Sequence, residues 1–411
     1  MTKQNEKDAK RVPELRFKGF TDDWEQRKLG EIATIVGGGT PSTKNPEYWD
    51  GDINWYSPAE IGNQIYAKKS ERQITELGLK KSSAKLLPVG TVLFTSRAGI
   101  GKTAILNKEA CTNQGFQSII PRSKMLNSYF LFSRTNSLKQ YGETMGSGST
   151  FVEVSGKQMS KMPLFIPNIN EQSKIAKLFQ SLDRTITLHE EKQCQLEQLK
   201  KALLQKMFAD ETGYPVLRFK GFTEKWEQRK LGEIANIVRG ASPRPIKNPK
   251  WFDESSDIGW LRISDVTEQD GRVYHLNQHI SKLGETKTRV LTEPHVLLSI
   301  AATVGKPLIN YCKTGVHDGF LIFQKPHFNL EFMFQWLTSF EDKWKKYSQP
   351  GSQVNLNSDI VKNQNIAIPS IEEQEKIGQL FQSLDRTITL HDKKIQYLKQ
   401  LKRGLLQKMF V

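Results

Sequence analysis

The chain is written twice, and that repetition limits its possible folds more than any other feature. Residues 13–36 read PELRFKGFTDDWEQRKLGEIATIV and residues 215–238 read PVLRFKGFTEKWEQRKLGEIANIV; 20 of 24 positions are identical at an offset of 202. Residues 171–208 and 373–410 agree at 27 of 38 positions with the same offset, and QSLDRTITLH recurs unchanged at 180–189 and 382–391. Chance does not produce such matches. The 411 residues therefore form two tandem units of about half the chain each.

Between the matched segments the units diverge. Residues 37–170 and 239–372 are each 134 long, yet only landmarks align. Pro41 answers Pro243, Asn45-Pro46 answers Asn248-Pro249, Trp55 answers Trp260, Gly101-Lys102 answers Gly305-Lys306, and Gly115-Phe116 answers Gly319-Phe320. These residue types fix turns and cores. The polar residues beside them change: Thr95-Ser96-Arg97 faces Ser299-Ile300-Ala301, and Asn113-Gln114 faces His317-Asp318. One scaffold carrying two surfaces points to two readers of different things, since neutral drift would have altered the flanks as well. Short apolar runs at 90–95, 118–120 and 296–300 predict strands, and 129–138 and 330–340 predict helices.

The segment 171–208 lacks Gly and Pro, and its copy has only Gly378 and Gly404. Apolar residues alternate at four and three: Ile175, Phe179, Leu182, Ile186, His189, Gln193, Leu196, Leu199, Leu203, Met207, and correspondingly Ile377 through Leu401 to Met409. This is a coiled-coil seam with a polar layer at the histidines. An unbroken helix of this length reaches up to ~57 Å, less if kinked near Leu182 or Leu384. His189 and His391 read as register-setting polar layers rather than metal ligands, because no second ligand type recurs beside them. The expected fold class is α+β: two mixed α/β recognition domains joined by two long antiparallel coiled-coil helices, a pseudo-twofold tandem repeat.

Lys and Arg number 60 against 44 Asp and Glu, a net charge of +16, which calls for a polyanionic partner such as DNA, RNA or an anionic membrane. No apolar run approaches the ~18–20 residues that span a bilayer. Residues 1–12 lack the apolar centre of a signal peptide, and three scattered cysteines exclude a disulfide framework, so a cytoplasmic location is expected. With 37% hydrophobic residues, the chain suits a multi-lobed shape better than one large sphere.

Catalytic look-alikes fail on inspection. SRAGIGKT at 96–103 has Ser96 where a phosphate loop needs its first Gly, and Asn45-Pro46-Glu47-Tyr48 has Glu47 where an adenine-methylating tetrad needs Pro. His275 and His279 lack the intervening Glu of a zinc hydrolase. The sequence argues for a protein that reads and does not cut. Residues 37–170 carry 16 basic and 9 acidic residues, and 239–372 carry 16 and 14, so the first lobe is the more positive. DNA-contacting side chains are expected on turns beside the shared landmarks. These are Thr40, Ser42, Lys44, Ser96, Arg97, Asn113, Gln114, Ser147 and Thr150 in the first lobe. In the second they are Ser242, Arg244, Lys247, Arg262, Arg289, His317, Ser352 and Gln353. No catalytic or metal-ligating residue is expected.

The lobe opening GGGTPSTKNPEYWDGDINW, the AGIGK turn, the TNQGF segment and the lobe end IPNINEQSKIAKLFQSLD, repeated as IPSIEEQEKIGQLFQSLD, together resemble the specificity subunit of type I restriction–modification systems. The resemblance runs from about Pro13 to the C-terminus. It implies a tail at 1–12, target-recognition domains at 13–170 and 215–372, helical regions at 171–208 and 373–411, and a linker at 209–214. It further implies double-stranded DNA as ligand, with each domain reading half of a bipartite site. The helices would set the gap and dock two modification subunits. S-adenosylmethionine, ATP and magnesium would sit on the modification and restriction subunits, with no cofactor on this chain. The second lobe departs from the usual pattern at Arg244, Pro245 and His317-Asp318, which leaves its half-site open. The competing readings are a free-standing DNA-binding regulator or architectural protein and, more remotely, an enzyme acting on DNA alone.

Overall fold

The computed structural model describes residues 12–62, 64–97, 99–146, 153–301, 303–344, 347 and 356–411. Two compact units emerge: one holds the chain to His189 plus Lys394–Val411, the other Glu190–Lys393.

In the first unit, Glu25–Lys28 pairs antiparallel with Pro163–Ile166, stapling the start of the lobe to its end. A five-stranded sheet runs in the order Ala33–Gly37, Gln117–Pro121, Val92–Phe94, Thr103–Leu106, Tyr66–Ala67, with the last pair parallel. A three-stranded sheet places Trp49–Tyr56 between Arg72–Ile74 and Ala110–Thr112. The second unit repeats the staple with Glu227–Lys230 and Asn365–Ile368. Its five-stranded sheet has the matching order Asn236–Arg239, Phe320–Gln324, Val296–Ser299, Pro307–Asn310, Arg272–Val273. The smaller sheet differs: Thr314–Val316 is central, flanked by Gly259–Leu261 and Arg289–Leu291.

The duplicated flanking segments share the same set of anchoring residues. Trp24 and Trp226 are buried, as are Leu29 and Leu231. Arg16 grips the buried Glu171 with two charge-assisted bonds of 2.7 and 2.8 Å, and Arg218 grips Glu373 at the same distances. Lys174 lies 4.8 Å over the Phe20 ring and Lys376 4.8 Å over Phe222. Guanidinium–carboxylate forks of this kind are directional as well as strong, so they fix the angle at which each helix leaves its lobe.

The long helices run uninterrupted over Ile169–Lys206 and Ile371–Lys408. Each contributes to both units. In the first unit, Phe410 packs on Trp24, Phe130 and Phe179 at 5.3–6.2 Å. In the second, Phe208 packs on Phe332 and Phe381 at 5.4 and 6.0 Å. Lys402 meets Asp183 while Phe410 meets Phe179, so the helix segments within that unit are antiparallel. The same order holds for Lys200 with Asp385 and Phe208 with Phe381. The C-terminal turn of each helix thus completes the core of the unit to which the other repeat gives its lobe.

Two expectations need correction. The strict four-three seam placed Leu199 and Leu401 inside, yet they are 47% and 38% exposed; Lys200 and Lys402 take those places to neutralise an aspartate. The single helix expected at 129–138 is two, Ser128–Ser133 and Thr135–Met145, because the backbone at Arg134 leaves helical geometry. The 330–340 helix extends over Leu330–Trp344.

Candidate nucleic-acid interface

Both lobes present a loop that opens on glycine after the first strand of the larger sheet, held against a tight turn before its second strand. In the first lobe the Gly39 amide donates to the Thr112 carbonyl at 2.8 Å, and Ser96 N–H donates to Gly115 at 2.8 Å. In the second, the Ala241 amide donates to Val316 at 3.0 Å and Ile300 N–H donates to Gly319 at 2.8 Å. The approach is close enough that a Cβ on Gly38 would lie 1.8 Å from the Asn113 carbonyl oxygen, and one on Gly240 2.2 Å from that of His317. Only glycine allows the two backbones to meet there. The turns are built alike too: Asn113 Oδ1 accepts from the Gly115 amide at 2.8 Å, and His317 Nδ1 accepts from the Gly319 amide at 2.9 Å.

This docking gathers most of the polar residues expected from the sequence. Thr40 Oγ1 donates to Gln114 Oε1 at 2.5 Å. Ser42 and Lys44 are exposed further along the same loop, where the Trp49 indole donates to the Ser42 carbonyl. Arg97 is half-buried and sits 3.9 Å from Glu153. Ser96 is a correction: it is fully buried, and it serves the site through its backbone, which also accepts from the Val154 amide at 3.1 Å. Ser147, Thr150, Ser352 and Gln353 lie outside the described residues.

In the second lobe Asp318 is the hub. Its Oδ1 accepts from Ser242 Oγ at 2.7 Å, its Oδ2 accepts from Arg244 Nη2 at 2.8 Å, and its carbonyl accepts from Arg239 Nε at 2.6 Å. Arg289 Nε in turn donates to the Arg239 carbonyl at 2.7 Å. Burial opposes ionisation of Asp318, but the Ser242 hydrogen bond and the cations around it win and hold its carboxyl below the usual range. Burial pushes His317 down from its ordinary value, with the nearby arginines helping and Asp318 opposing. His317 lies 3.2 Å from Asp318 through Nδ1, but that atom already accepts from Gly319, so the ring is a neutral acceptor here rather than half of an ion pair.

Beside this hub a cleft of about 820 Å³ is lined by Lys247, Arg262 and His317 together with Trp260, Phe252 and His279. Arg262 is partly committed, forking onto Asp265 at 2.8 Å from Nη2. The sequence reading missed Arg239. Its signal was available: it is the first residue to diverge after the matched segment, where the other unit has Gly37.

The sites that resembled catalytic motifs are structural. Gly101 turns the hairpin between Val92–Phe94 and Thr103–Leu106, its amide donating to Thr95 at 3.0 Å. Asn45 and Asn248 each cap a short 3-10 turn by accepting from the backbone of Glu47 and Lys250. Among the described residues no cluster of His, Cys, Asp or Glu is arranged to hold a metal, and no helix is long and apolar enough to cross a membrane.

Two tandem α+β lobes with the same loop-and-turn framework and different side chains upon it define a tandem-repeat α+β protein. The sequence matches the type I restriction modification DNA specificity domain twice, over residues 21–198 and 223–400, and the chain belongs to that family. It is 29% identical over 405 residues to the type I restriction enzyme MjaIX specificity subunit of Methanocaldococcus jannaschii, covering 94% of this chain and 92% of that one. It is 30% identical over 177 residues to the EcoR124I/EcoR124II specificity subunit of Escherichia coli, spanning 41% and 43% of the two chains. Its fold is similar to the crystal structure of the type I restriction–modification S subunit from M. genitalium, with a TM-score of 0.62 at 16% identity over 97% and 99% of the chains. Members of this family are specificity subunits, so the role of this chain is recognition rather than catalysis.

Proposed function

We propose that this protein is the DNA-reading subunit of a type I restriction–modification complex, in which residues 13–170 read one half of a bipartite duplex site and residues 215–372 the other. The observation that carries this reading is the pairing of conserved framework with altered loop. The same backbone bonds hold Gly39 to Thr112 and Ala241 to Val316 while the exposed side chains around them differ. Phosphate contacts from the surrounding Lys and Arg supply affinity, and side chains from the two loops supply base discrimination. The helical regions 171–208 and 373–411 set the gap between half-sites and dock two modification subunits, with 209–214 as linker and 1–12 as a tail. S-adenosylmethionine would reside on the modification subunits, and ATP and magnesium on restriction subunits. The complex works in the cytoplasm.

The test is methylome sequencing of cells carrying this chain with its partner subunits. Exchanging residues 37–170 for the corresponding lobe of another specificity subunit changes one half-site and leaves the other intact. Adding one heptad to both helices changes the gap alone. A lobe exchange that alters both half-sites, or a single continuous motif in the unmodified complex, would overturn the reading.

A further inference from the structure

The two lobes make the same side-chain hydrogen bond with different chemistry at its outer end. Thr40 and Ser242 stand at equivalent places, one residue before the shared proline, and each hydroxyl donates across to the turn. In the first lobe it donates to the carboxamide of Gln114 at 2.5 Å; in the second it donates to the carboxylate of Asp318 at 2.7 Å. The residue after the proline differs accordingly. Ser42 is small and exposed, whereas Arg244 reaches back to Asp318 at 2.8 Å with its side chain 71% exposed.

The hydroxyl clamp therefore has two settings. Gln114 is exposed; its oxygen keeps a second lone pair, and its amide nitrogen has no partner among the described residues. An acceptor beside a donor on one planar group is what adenine N6 and N7 require in the major groove. Arg244 spends one of its five N–H donors on Asp318, on a side chain that stays 71% exposed. A braced guanidinium is the matching partner for guanine O6 and N7. Bracing matters because a free arginine loses rotamer entropy on binding, and an already anchored one loses less.

We infer that this clamp is the base-selecting element of each lobe: Gln114 reads an A·T pair in the first half-site, and Arg244, held by Asp318 and Ser242, reads a G·C pair in the second. This rests on the bipartite reading above and assigns it two base pairs.

The experiment is methylome sequencing and salt-titrated DNA binding of the whole complex carrying R244Q, and separately the double variant S42R/Q114D. R244Q loses about tenfold or more of its preference for guanine at one position of the second half-site, as expected for one bidentate contact. S42R/Q114D gains guanine at one position of the first half-site, which a merely structural role would not produce. An unchanged motif in R244Q overturns the inference. So does an equal loss of binding to every sequence with a salt slope reduced by about one, which marks a phosphate contact. A wild-type complex with no bipartite motif would overturn the underlying reading instead. Melting temperatures of both variants identify any effect that is only a folding defect.

Discussion

Asp183 and Lys402 are 219 positions apart in the chain, yet Lys402 Nζ meets Asp183 Oδ1 at 2.5 Å. The other carboxylate oxygen accepts from the Tyr129 hydroxyl at 2.7 Å, and the aspartate is buried. The second unit carries the corresponding pair, Lys200 with Asp385, reinforced there by Arg272 at 2.9 Å and Gln335 at 2.8 Å. Each aspartate belongs to the repeated QSLDRT segment, and each lysine comes from the late turns of the other repeat's helix. The latch is thus a register device: sliding one helix by a turn would leave a buried carboxylate without its cation.

Lys402→Met removes that cation and leaves Asp183 buried with only Tyr129. The exposure of the lysine moderates the loss, so about 1–3 kcal/mol is expected. Thermal melting should show the first transition falling by several degrees, and the double variant K402M/D183L should recover part of it. An unaltered melting curve for K402M would show that the pair does not hold the register.

Gly38→Ala and Gly240→Ala place a methyl group inside backbone rather than against a movable side chain. Each should spring its loop from the turn at a cost of about 1–3 kcal/mol. The recognition defect should be confined to one half-site: the first for G38A, the second for G240A. Methylation profiles of the two variants check this directly.

His317 carries a pH prediction. Its folded value lies below its ordinary 6.5, chiefly through burial. The neutral form is therefore favoured by folding. Its stabilisation is complete above about pH 6.5 and is lost as pH falls below that through the folded value. His317→Asn substitutes the residue found at the equivalent turn, where Asn113 accepts from its own glycine amide. H317N should remove this part of the decline in melting temperature between pH 7 and pH 5. An equal decline in both proteins would assign it to other groups.

Gly404 is interior to the second long helix, and a Cβ there would meet nothing within 4 Å. The first helix has Ala202 at the same place. Gly404→Ala should stabilise the protein by about 0.5–1 kcal/mol through the smaller entropy loss of alanine, read as a higher melting temperature.

The sequence by itself determined the duplication, the α+β character, the two long helices and the landmarks at which each loop docks on its turn. Exact repeats and periodic apolar residues are local signals, and they survive translation into structure directly. It also placed Thr40, Asn113 and Gln114 in one set because they border landmarks that a docked loop and turn must share. Tertiary structure alone decided that Ser96 is buried, that Lys200 and Lys402 replace leucines in the seam, and that Arg239 joins Arg244 around Asp318. The reason is the same in each case. Each residue is placed by groups far away in the chain, Ser96 through backbone bonds to Gly115 and Val154, and no periodicity along one segment records where those groups will arrive.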